Sequence, residues 1–225
     1  MENKQISNYR YRLYYSRTGV PTWIGHLDLM RTFQYSCKRA KLPSAFTQGY
    51  NPKPIMEFAL PAGVGVETRA DPLDLELTER ITAQEVIQQL NTKLPQGIRI
   101  EAATYLEQPD KNLMSLVQAA AYTIIAEKLG TAAEKVIVAN DQTIIVERVR
   151  KGKKRRYDLR KLIIDLQIVS PNQIKFLCKA GSNANLRPDM LLKALYEAEE
   201  ITKNNALDAI IIRDRVFLKN EELDY

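Results

Sequence analysis

Residues 23–41, WIGHLDLMRTFQYSCKRAK, decide the fold, because the hydrophobic period of the chain changes there. His26, Met30, Phe33, Cys37 and Ala40 recur at the spacing of one helical face, while Asp28, Arg31, Tyr35, Lys38 and Arg39 project elsewhere. The segment reads as an amphipathic helix ended by Pro43. Before it, residues 9–16 (YRYRLYYS) are aromatic-rich and alternate as a strand does. After it, residues 55–60 (IMEFAL) and 72–78 (PLDLELT) read as two more strands. In the second, Leu73, Leu75 and Leu77 are expected inward, with Asp74 and Glu76 outward. Thr82 opens another helix (TAQEVIQQLNTKL), with Glu85 as its capping-box partner. Residues 98–105 (IRIEAATY) close this half as a strand. Strand, helix, strand, strand, helix, strand is the order of the ferredoxin-like split unit.

A second copy of that order follows Pro109. Residues 122–127 (YTIIAE) and 143–149 (TIIVERV) read as strands around a short helix near residues 131–138, where VIV fits a strand equally well. Residues 159–169 fit helix or strand. Residues 173–179 (QIKFLCK) read as a strand, 187–198 (RPDMLLKALYEA) as a helix with Pro188 at its start, and 209–215 (AIIIRDR) as a last strand. No residue-by-residue repeat links the halves, so the repetition is topological. The expected fold class is α+β: two ferredoxin-like (βαββαβ) units in tandem with antiparallel sheets, over residues 1–108 and 109–225.

At 225 residues and 45% hydrophobic, the chain can bury one large core or two small ones. It shows no apolar run of signal-peptide type and no stretch near the roughly 20 apolar residues of a membrane helix, so a cytoplasmic location is expected, without membrane association. Cys37 and Cys178 are too few and too far apart in sequence for a disulfide framework, a zinc site or a cysteine-held cluster, and read as buried thiols. The net charge of +6 is unevenly spread: residues 148–161 hold nine Lys or Arg against Asp158 alone, a local +8, leaving −2 for the rest. The chain is a near-neutral body with one basic element.

His26 is the only histidine, so any His-based acid–base chemistry runs through it. A place at a helix start lowers its pKa and favours the neutral ring, which suits a general base and equally suits a structural ring. The His- and Cys-rich metal constellations and the GxxxxGK[ST] phosphate loop are absent, and Gly63-Val64-Gly65 lacks the remainder of a dinucleotide turn. No cofactor is expected on this chain. Lys151-Gly152-Lys153 reads as the turn of a cationic hairpin. There Arg150, Lys151, Lys153, Lys154, Arg155 and Arg156 would neutralise phosphates, and Tyr157 would stack on a base; the alternative is a solvated hairpin without a ligand. In residues 180–189 (AGSNANLRPD), Asn183, Asn185 and Arg187 precede a helix start that either receives an anion or is simply capped. Residues 47–65 (TQGYNPKPIMEFALPAGVG) present Gln48, Tyr50, Asn51 and Lys53 on a proline-stiffened stretch, a binding loop or a strand lead-in kept extended by Pro52 and Pro54.

Residues 11–77 resemble the opening of the radical-SAM-associated protein family, a bacterial domain of uncharacterised function found alone or fused behind a cobalamin-binding-type radical SAM enzyme. The likeness continues through RYDLRKLI (156–163) and NANLRPDMLL (183–192). The family motif maps onto Gly25, His26, Leu27 and Asp28, onto Gln48, Gly49, Tyr50, Asn51 and Pro52, onto Leu60, Pro61, Gly63 and Val64, and onto Arg187, Pro188 and Asp189. Lys53 stands where family members often have histidine. The resemblance implies a radical SAM enzyme as partner, with the 4Fe–4S cluster and S-adenosylmethionine on that partner, since CxxxCxxC is absent here. The family's usual neighbourhood of ribonuclease and ribosomal-protein genes implies RNA or the ribosome. The expected function is a non-catalytic subunit presenting substrate, RNA, to that enzyme. The competing expectations are a stand-alone RNA-processing endonuclease, with His26 as general base beside Tyr15 or Lys53, and a purely structural or ribosome-associated module.

Overall fold

The computed structural model describes residues 8–108, 112–139, 142–150, 152–219 and 221–223. The fold is α+β, dominated by antiparallel pairing. The chain divides into two compact units, Met1–Val117 and Gln118–Tyr225.

The first unit runs β1 (Tyr9–Arg17), α1 (His26–Arg39), β2 (Met56–Phe58), β3 (Val66–Leu77), α2 (Ala83–Asn91), β4 (Ile98–Leu106) and a single turn α3 (Leu113–Leu116). Its strands lie in the order β4-β1-β3 with β2 on β3, and all three of these pairings are antiparallel. Tyr11, Leu13 and Tyr15 of β1, Leu73, Leu75 and Leu77 of β3, Phe58, Ile98 and Ile100 form one sheet face, covered by Leu29, Phe33 and Cys37 of α1 and Val86 and Leu90 of α2. Apolar residues two apart on strands and three or four apart on helices thus meet in one layer.

The α1 helix begins at His26 because Val20–Trp23, with Pro21, forms a 3₁₀ turn and Gly25 is the N-cap. Its buried residues are Leu29, Phe33, Gln34, Ser36 and Cys37, with His26, Met30 and Ala40 half-buried. It ends at Arg39, before Pro43 is reached, as Lys41 turns into the left-handed region at φ 54°. The capping box forms: Glu85 N donates to Thr82 Oγ1 at 3.2 Å, and Thr82 N donates to the Glu85 carboxylate at 2.7 Å. Gly97 precedes β4 at φ +89°, where an added Cβ would meet the Thr18 carbonyl oxygen at 2.5 Å, so the close approach of two backbones requires glycine.

Alternation places Asp74 on the outward face, and the structure shows that this face is not open to water. Asp74 does point away from the leucine face, but it is only 3% exposed there. Arg12, its cross-strand neighbour, closes on it with both nitrogens: Nε to Oδ1 at 2.8 Å and Nη2 to Oδ2 at 3.0 Å. Glu76 accepts from its cross-strand neighbour Arg10, Nη2 to Oε1, at 2.9 Å in a partly exposed contact. A period of two assigns faces; it does not say which faces are wet.

The second unit contains β5 (Val117–Ile125), α4 (Leu129–Ala133) continuing into a π-helical turn (Glu134–Val138), β6 (Ile145–Arg150), β7 (Lys153–Asp158), β8 (Ile163–Ser170), β9 (Gln173–Lys179), α5 (Pro188–Glu197), α6 (Lys203–Leu207) and β10 (Ile210–Leu218). Four strands lie in the order β10-β5-β9-β8, while β6 and β7 pair only with each other. With that hairpin set aside, the first, second, third and fourth strands are β5, β8, β9 and β10, the same 4-1-3-2 order as in the first unit. The ambiguous VIV is π-helical, and the ambiguous 159–169 stretch resolves into a turn followed by β8. Residues 117–121 (VQAAA) belong to β5, although alanine carries little strand preference; Ala119, Ala120 and Ala121 are buried and are held by pairing with β9. Both cysteines are buried and unbridged, and burial pushes each thiol up to about 12.

Candidate functional site

The QGYNP motif forms the tip of a loop whose base is stitched shut. Thr47 N donates to the Lys53 carbonyl at 2.9 Å, Lys53 N donates to Thr47 Oγ1 at 3.2 Å, and Ile55 N donates to the Ala45 carbonyl at 2.8 Å. The Ala45 and Glu76 backbones bond in turn, tying this base to β3. Because the stem carries the bonds, the tip is free to project, and Tyr50 upon it is fully exposed. Asn51, Pro52, Lys53 and Pro54 form one wall of a cleft of about 340 Å³ whose other wall is the outer face of α1: Arg31, Gln34, Tyr35 and Lys38. Asn51 and Lys53 were expected in a binding loop and lie in this cleft, whereas Gln48 and Tyr50 sit on the tip outside its lining. Arg31, Tyr35 and Lys38 were read only as the polar side of a helix. Their i, i+4, i+7 spacing was the available signal that they form a stripe.

His26 opens α1 and is not among the residues that line this cleft. Its ring is half-buried and edge-on to Phe58, with centroids 5.2 Å apart, and its buried Nδ1 has no hydrogen-bond partner among the described residues. Burial, and then the Arg17 guanidinium, hold its pKa below the ordinary imidazole value. The lowered pKa was expected from the helix start; burial is the larger cause. Tyr15 is a core residue whose ring is edge-on to Phe33 and to Phe58, the ring that His26 also packs against, while Lys53 lines the cleft with residues of the 31–38 stretch. One consequence is measurable. An unfolded chain protonates His26 near its ordinary pKa of about 6.5 while the folded chain resists until lower pH, so stability is fully present above that value and falls as the solution is acidified through it. His26→Gln should flatten this acid limb in thermal melts recorded from about pH 7.5 to about pH 5; an unchanged limb would assign it to other groups.

The basic segment is the hairpin of β6 and β7, turning at Gly152 with φ +73°, as a two-residue connection requires. Its register sorts the charge. Val146 opposite Tyr157 and Arg148 opposite Arg155 share one face, which contains no acid among the described side chains. Ile145 opposite Asp158 and Glu147 opposite Arg156 share the other, where Arg156 Nε lies 3.5 Å from Glu147 Oε1. Val146 is buried and Tyr157 half-buried, so the root is anchored, and Lys193 Nζ of α5 donates to the Glu147 carbonyl. Lys154, Arg155 and Arg156 are exposed. Lys151 lies outside the described residues, and Arg150 and Lys153 are placed by backbone alone.

In residues 180–189, Asn183 and Asn185 are exposed, but Arg187 is already engaged: its Nε and Nη2 donate to the two Asp189 carboxylate oxygens at 2.9 and 2.8 Å. The start of α5 therefore carries its own carboxylate, which disfavours a second anion there. Among the described residues no three His, Cys, Asp or Glu side chains cluster so as to hold a metal ion, and no helix is long and apolar enough to cross a membrane.

No curated protein matches the chain. Residues 10–188 match the family described as uncharacterized protein conserved in bacteria (DUF2344), and the chain belongs to that family.

Proposed function

We propose that this protein is a non-catalytic partner of a radical SAM enzyme, working in the cytoplasm, and that it holds RNA as the substrate presented to that enzyme. The observation that carries the RNA half is the acid-free face of the hairpin, where Arg148 and Arg155 stand directly opposite one another. Like charges so placed repel, and a phosphate chain laid along them removes the repulsion. The enzyme half is supported by the resemblance at Gly25–Asp28, Gln48–Pro52 and Arg187–Asp189. On this reading the cluster and S-adenosylmethionine belong to the partner, and this chain supplies affinity and position.

The test is co-purification of the chain with the radical SAM protein of the same bacterium, with and without ribonuclease, followed by RNA binding measured across a salt series. Association with the enzyme and an affinity that falls steeply with salt are expected. Failure of the pair to associate in cells and in vitro would remove the partnership, and salt-independent or absent RNA binding would remove the substrate. Neither the native chain nor His26→Ala should cleave RNA alone; cleavage lost on that substitution would instead establish the endonuclease.

A further inference from the structure

We infer that the cleft between α1 and the loop of residues 47–54 receives one unpaired nucleotide of a single-stranded RNA, its phosphate against Arg31, Lys38 and Lys53 and its base against the Tyr35 ring. This rests on the RNA reading above and narrows it to a strand form and a place. The cleft lining holds three cations and no acid. At about 340 Å³ it lies near the lower end of the range for small-ligand sites, about 300–1,000 Å³, room for a nucleotide and not for a duplex.

The chemistry of its walls fits single-strand binding, which joins a cationic groove to aromatic faces on which bases stack. Tyr35 lines the cleft and is exposed, and Tyr50, next along the chain to Asn51, is fully exposed on the loop tip. The amides of Gln34 and Asn51 each supply donors and an acceptor to a base edge. The cations are available at small cost. Among the described residues Arg31 pairs with Asp28, 3.0 Å away in an exposed contact, and Lys38 lies 5.9 Å from the Phe46 ring centroid. Pro52, Pro54 and the Thr47–Lys53 stem hold the loop wall in place before binding, so little freedom is lost when a ligand enters. An acidic peptide would satisfy the cations but leave the tyrosines unused, and RNA employs both.

The experiment uses the full chain with a uridine-rich single-stranded oligonucleotide and a duplex of equal length, the single strand also carrying 4-thiouridine for photocrosslinking and peptide mapping. Crosslinks are expected in residues 31–38 and 50–54. Tyr35→Ala should weaken single-strand binding about 5- to 100-fold, the range of one lost stacking partner. Tyr35→Phe should restore it, and duplex binding should stay unchanged in both. Lys38→Glu should weaken single-strand binding comparably and make it less salt-dependent. These side chains are exposed, and melting curves superposable on the native one verify folding; the crosslink map on the native chain needs no variant. If RNA binds but crosslinks fall only on the hairpin and Tyr35→Ala binds as the native chain does, the cleft assignment is overturned while the RNA reading stands. If the chain binds no RNA, both fall; if it binds RNA while the cleft captures an acidic protein segment instead, only the cleft assignment falls.

Discussion

Replacing Asp74 with alanine is expected to cost the first unit about 3–5 kcal/mol, because it removes a two-bond carboxylate partner from a buried guanidinium. Arg12 and Asp74 are 7% and 3% exposed and meet through two hydrogen bonds, so neither charge has bulk water to fall back upon. The exposed Asp28–Arg31 pair, with a 3.0 Å separation, provides the contrast: Asp28→Ala should cost no more than about 1 kcal/mol, as surface ion pairs do. The two differ in desolvation, since Coulomb attraction at the surface is screened, whereas a buried charge that loses a carboxylate partner has no water to replace it. Urea unfolding followed by circular dichroism measures both. The double replacement Arg12→Met with Asp74→Leu should regain most of the loss, since apolar residues of similar volume commonly substitute for a buried pair. A cost for Asp74→Ala no larger than that for Asp28→Ala would show that water reaches the pair.

Arg148→Glu is expected to separate RNA affinity from stability. In the native register Arg148 faces Arg155, and the substitution turns a repulsive cross-strand pair into an attractive one. Such a pair stabilises a hairpin by about 0.2–1 kcal/mol, so the melting temperature should hold or rise slightly. RNA binding should move the other way. The introduced carboxylate would itself repel phosphate and would occupy Arg155, withdrawing two cations from the same face, which predicts a fall of roughly 10- to 100-fold near 0.1 M salt and a salt dependence shallower by about 1.4 in logarithmic slope. Arg156→Glu is the paired control: it acts on the opposite face, breaks the contact with Glu147 and should not improve stability. Equal RNA affinity for Arg148→Glu and the native chain would leave the acid-free face without a ligand.

Much of the architecture was legible locally. The change of period at residues 23–41, the alternation of Leu73, Leu75 and Leu77, the Thr82–Glu85 box and the glycine turn of the basic hairpin each depend on neighbours within a few positions, and each reappears in the structure. The first part of β3 was missed because residues 66–71 (VETRAD) lack a strong apolar alternation; pairing with β1, not propensity, holds them extended. The site was less legible. Lys53 and Asn51 could be singled out from a proline-stiffened motif, but nothing in their neighbourhood names Arg31, Tyr35 and Lys38 as the facing wall.

By itself the sequence determined most elements of the first unit, their order and the concentration of positive charge in one hairpin, because periodicity, capping and turn chemistry act over short range. Only the tertiary structure decided that Asp74 is buried against Arg12, that Arg187 is spent on Asp189, that His26 is not among the residues lining the cleft with Lys53, and that an outer helical stripe and a loop enclose that cleft. Those outcomes depend on which residues distant along the chain are brought together and on which surfaces lose water, and neither is encoded in the spacing of nearby residues.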